Sequence, residues 1–101
     1  MHLLGLMIAL RHYLRLQESV HGLSPTVFRK RGFRFFFYSR EEPRMHVHVD
    51  CANGDAKFWL EPGIELAENY GLRSGEISTV HKLIEERNDE IKRRWQDHFR
   101  S

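Results

Sequence analysis

One cysteine, Cys51, is all the thiol chemistry this 101-residue chain has, so no disulfide can form within it and no cysteine pair is present to hold zinc. There is no glycine-rich phosphate loop and no Ser/His/Asp constellation. The apolar run at residues 3–10 is far below the ~20 residues a membrane span needs. No Lys or Arg precedes that run and no small-residue cleavage site follows it, so a signal peptide is not expected either. Internal repeats and low-complexity tracts are missing too. These absences lead us to expect a soluble, unexported protein of a reducing cytoplasm, with no membrane contact. The formal charge is only +2, which permits nucleic acid without requiring it, but seven histidines make that charge sensitive to pH between about 5 and 7.

What is present divides in two. Residues 1–23 place Leu3, Leu6, Met7, Leu10 and Leu14 at helical spacing with Arg11, Arg15 and Glu18 off the stripe, an amphipathic helix followed by a linker. Its apolar stripe suits a second surface, such as another copy of the chain in a homo-oligomer. Residues 24–101 read as one α+β domain. Thr26 to Lys30 and Phe33 to Ser39 are expected strands around Arg31-Gly32, the second dense in aromatics that strands favour. Residues 64–70 read as a short helix capped by Gly71. From Ser74, an expected N-cap, Ile77, Val80, Leu83, Ile84, Ile91, Trp95 and Phe99 keep helical spacing over about 26 residues, or ~39 Å. The fold expected is an antiparallel sheet of about four strands packed against this long C-terminal helix, with the N-terminal helix in addition.

Residues 45–61, MHVHVDCANGDAKFWLE, carry the chemistry. Asn53-Gly54 suits a two-residue type I′ turn, in which both central residues take positive φ. Ala52 would then face Asp55, Asp50 would face Lys57, and His48 would face Trp59. Because strand side chains alternate, Val47, Val49, Cys51, Ala56, Phe58 and Leu60 share an apolar face. His46, His48, Asp50, Lys57, Trp59 and Glu61 share the other.

The motifs SPTVFRKRGFRFFFYS, MHVHV, GDAKFWLEP and a helix ending in WQDHF, in that order, resemble the bacterial family known as domain of unknown function 4160, over Ser24 to Ser101. Some members go by the name DhiT, toxins of type II toxin–antitoxin systems, and members look like small proteins of two-gene modules. The resemblance therefore implies a toxin-like chain with a small cognate antitoxin-like partner. Carried onto this sequence, the motif positions are His46, His48, Lys57, Trp59, Trp95 and Phe99. Residues 1–23 depart from the pattern, since family members often begin near the Thr-Val strand.

The polar face admits three readings. His46 and His48 with Asp50 and Glu61 offer donors to a divalent ion, but the spacing is weakly specific, and Arg34 and Lys57 add opposing charge. No tightly bound metal and no cofactor are expected. In the second reading Arg34, Tyr38, Lys57 and Trp59 hold RNA by charge and stacking, while His46 and His48 serve as general base and acid. In the third, a non-catalytic adaptor binds protein and the histidines are structural, with Asp50 and Lys57 in a cross-strand ion pair. RNA with the histidine pair is the leading expectation and the adaptor its rival.

Overall fold

The computed structural model describes residues 26–38 and 41–99. The expected N-terminal helix and its oligomer-forming stripe lie outside these residues. Within them, five strands precede two helices: β1 (Thr26–Lys30), β2 (Phe33–Phe36), β3 (His46–Cys51), β4 (Gly54–Trp59), β5 (Glu65–Tyr70), α1 (Ser74–Glu86) and α2 (Asn88–His98). The strands form one antiparallel meander in chain order.

One expected turn is found in place and the other is shifted by one residue. The type I′ geometry belongs to Arg31-Gly32, at φ 54° and 81°, where Lys30 pairs with Phe33. Asn53-Gly54 does not form the turn between β3 and β4. Ala52 and Asn53 do, and Cys51 pairs with Gly54, Asp50 with Asp55, His48 with Lys57 and His46 with Trp59. The reason lies across the sheet. A Cβ on Gly54 would come within 1.9 Å of the Tyr70 carbonyl oxygen, and one on Gly71 within 2.4 Å of the Asn53 carbonyl oxygen. Glycine is thus used for close approach between the hairpin end and the end of β5, and Asn53 Nδ2 donates to the Gly71 carbonyl at 3.3 Å and to Glu76 Oε1 at 2.6 Å.

The segment expected to be a short helix is β5. Residues 54–58 of β4 are buried, and interior backbone N–H and C=O groups left without a partner would each cost about as much as a lost hydrogen bond. Pairing of Asp55 with Tyr70 through Trp59 with Glu65 supplies those partners, and tertiary pairing outweighs the weak local preference of six residues. The sheet therefore has five strands rather than four.

The long helix is also two. Arg87, at φ −118° and ψ 21°, separates α1 from α2, and its guanidinium lies 4.3 Å from the centre of the Phe28 ring. Ser74 is the first helical residue. Arg73 precedes it as N-cap, its backbone N–H donating to Glu76 Oε1 at 2.8 Å. The break lets both helices keep an apolar stripe on the sheet: Val80, Leu83 and Ile84 from α1, Ile91 and Trp95 from α2. These join Phe33, Phe35, Phe37, Val47, Val49, Ala56, Phe58 and Leu60 in one core, with Cys51 and Phe99 packed at its margin.

Candidate functional site

The opposite face of the sheet is organised in rows across the strands. Arg34, Asp50 and Asp55 form one row, Phe36, His48, Lys57 and Glu68 the next, and His46, Trp59 and Glu65 the third. A period of two along β3 aims both imidazoles to this side. They do not meet solvent. His46 is 0% exposed and His48 6%.

Part of what satisfies them is the connection between β2 and β3. Glu41 Oε1 lies 2.8 Å from His46 Nε2 and 3.1 Å from His48 Nε2, and Glu41 Oε2 lies 2.8 Å from His48 Nε2. His46 Nδ1 is 2.6 Å from the Arg44 carbonyl oxygen, and the Tyr38 amide donates to Glu41 Oε2 at 2.9 Å. Burial, the largest single influence on Glu41, pushes its carboxyl up. The hydrogen bonds from His46, His48 and the Tyr38 amide, with the charge of His48, outweigh it and hold the group at about 2. Burial also lowers His48 from its ordinary value, and the hydrogen bond and charge of Glu41 oppose that only in part.

The other expected site residues surround this cluster unequally. Tyr38 meets the His48 ring edge-on at 4.5 Å, and Phe36 stacks on it at 5.5 Å. Lys57 is paired with Glu42, and its ammonium lies 4.4 Å from the Trp59 ring centre, with the Arg44 guanidinium 4.1 Å from the same ring. Trp59 in turn lies 5.6 Å from His46. Arg34 sits a row away, donating to Thr26 Oγ1 at 2.7 Å and paired with Asp50 at 3.7 Å. On the helical side, Trp95 reaches the His46 ring at 4.9 Å.

The carboxylates expected beside the histidines are elsewhere. Asp50 pairs with Arg34 rather than Lys57, and Glu61, exposed, pairs with Lys92 at 2.9 Å. Their place is taken by Glu41, which sequence reasoning passed over as part of a polar connection. One signal was available: two histidines on a strand between apolar neighbours need partners if buried, and Glu41-Glu42 is the nearest acidic pair upstream.

A family model described as Domain of unknown function (DUF4160) matches residues 32–96. The chain belongs to this family. No curated protein and no solved structure matches it. The matched span of this DUF4160 chain holds β2 to β5, α1 and most of α2, and with them Glu41, His46 and His48. Among the described residues, no helix is long and apolar enough to cross a membrane.

Proposed function

We propose that this chain is the toxin-like component of a bacterial type II toxin–antitoxin module, acting on RNA in the cytoplasm and held inactive by a small cognate antitoxin-like protein. The motif resemblance of residues 24–101 points to that role. The observation that carries a chemical reading is the convergence of Glu41 on His46 and His48 beside Lys57 and Trp59. Taking an ionised carboxylate out of water costs of the order of several kcal/mol before any pairing offsets it. A plain sheet face has no need of such a group, and clusters of this kind concentrate at functional sites.

In this reading the segment Glu41 to Arg44 swings aside to admit a strand of RNA. One histidine takes the proton of a 2′-hydroxyl as its oxygen attacks the phosphorus, and the other gives a proton to the departing 5′-oxygen. Lys57 would face the phosphate and Trp59 would stack on a base.

The adaptor reading is favoured by a different fact: His46 is fully closed from solvent with both ring nitrogens engaged. Expression in a bacterial host separates the two. Growth arrest that is relieved by His46→Ala or His48→Ala in folded protein, and only weakened by Lys57→Ala or Trp59→Ala, supports catalysis. Full arrest by the double histidine variant removes the acid–base role, and a parent chain that arrests nothing yet binds a partner protein supports the adaptor.

A further inference from the structure

We propose that Glu41, His46 and His48 form a binding site for one divalent first-row transition-metal ion, with zinc(II) as the reference occupant. The carboxylate oxygen and the two imidazole nitrogens all lie within 4.8 Å of one another. Two nitrogens and one oxygen are an ordinary donor set for zinc, iron(II) or nickel. Bonds of roughly 2.0–2.2 Å at a tetrahedral centre put ligand atoms roughly 3.3 Å apart. Glu41 Oε1 is 2.8 Å from one nitrogen and 3.1 Å from the other, so these two spacings need to open by only a few tenths of an ångström, while the widest spacing in the set, within 4.8 Å, closes around the ion.

The groups behind the donors fit the same reading. A ligating histidine ordinarily donates its second ring N–H to a backbone carbonyl or a carboxylate, and a ligating carboxylate is itself hydrogen-bonded. His46 Nδ1 stands 2.6 Å from the Arg44 carbonyl oxygen, and the Tyr38 amide donates to Glu41 Oε2.

The charge argument against a metal also weakens. Lys57, the cation across the strand from His48, is paired with Glu42. The third ligand, which the histidine strand lacks, arrives from the preceding connection. The metal site does not depend on the RNA reading. A nitrogen that ligates an ion cannot at the same time move the proton of a substrate, so zinc held by both imidazoles would remove their acid–base role, and its absence would leave that role to the growth assay.

The test uses the full chain, stripped with a chelator and titrated with zinc chloride by calorimetry and with cobalt(II) by visible absorption. The expected result is one ion per chain, with tetrahedral-type cobalt bands, and affinity lowered at least tenfold by Glu41→Gln and by His48→Ala. Glu42→Gln should leave it within about twofold. Glu41→Gln is the decisive variant because it removes no imidazole from a chain with seven histidines. Zinc should also shift the Nε2 resonances of His46 and His48 in nitrogen-detected spectra of the unaltered protein, which needs no variant to fold. Absence of stoichiometric binding, affinity unchanged in folded Glu41→Gln, or zinc shifts confined to other histidines would overturn the site. Growth arrest is read independently of all three.

Discussion

Val47 and Val49 leave β3 on one side and His46 and His48 on the other, and the two sides reach burial by different routes. The valines need only surface of the right shape, which α1 and α2 bring as Val80, Leu83, Ile84, Ile91 and Trp95. The histidines need partners with direction and charge, and Glu41 and the Arg44 carbonyl, neither in a helix or a strand, supply them. One face is held by area, which many arrangements can provide. The other is held by a few directional hydrogen bonds that converge on Glu41.

Truncation should show that difference at its largest on the apolar side. Phe58 is 0% exposed near the end of β4, and Phe58→Ala should cost about 3–5 kcal/mol from lost transfer energy and the cavity left behind. Chemical denaturation measures this directly. A cost under about 1 kcal/mol would mean that the apolar face is not the main source of stability.

This contrast also explains what could be read in advance. The turn was placed one residue too far along, yet the face assignment survived. Moving a two-residue turn by one position changes the sum of paired residue numbers by two, which leaves every side chain on its own side. His46, His48, Lys57 and Trp59 therefore share a face in either register. Strand β1 was legible because Arg31-Gly32 is a turn signal that nothing distant overrides. Strand β5 was not, because its reason for being extended is the buried backbone of β4, a requirement that residues 64–70 do not carry in themselves. The break at Arg87 escaped for a similar reason: helical spacing runs through it, and only the packing of both helices on the sheet asks for a bend. Glu41 was hidden because a carboxylate in a polar connection looks solvated until the fold brings it to two buried rings.

Glu41→Gln should have the next largest effect, about 1–3 kcal/mol at neutral pH, since two imidazoles lose a charged acceptor in a buried setting. Its pH dependence carries the sign. The folded-state value of Glu41 is lowered from 4.5 to about 2, so its ionised form favours the folded protein above about pH 4.5, and that contribution disappears as pH falls through about 2. The stability gap between the parent chain and Glu41→Gln should therefore be full at neutral pH and close progressively between those two values. Acid titration of both proteins by circular dichroism, with urea unfolding at each pH, gives the gap. A gap that stays constant down to pH 2 would show that the carboxylate's charge is not what the histidines require.

The smallest effect is expected where the polar face meets solvent. Arg44 lies over Trp59 and donates from Nε to the Glu61 carbonyl at 3.1 Å, but its side chain is 45% exposed and its ion pair with Glu65 spans 3.9 Å. An exposed cation over an aromatic ring is worth about 0.5–1 kcal/mol, and a surface ion pair at that distance adds little. The bond from His46 uses the backbone carbonyl of Arg44, which Arg44→Ala retains. The substitution should thus cost no more than about 1 kcal/mol, alter Trp59 fluorescence by uncovering the ring, and leave the acid response of Glu41 in place. If Arg44→Ala instead destabilises the protein as much as Glu41→Gln and flattens the same pH profile, the guanidinium, and not the carboxylate, is what keeps the connection seated on the histidines.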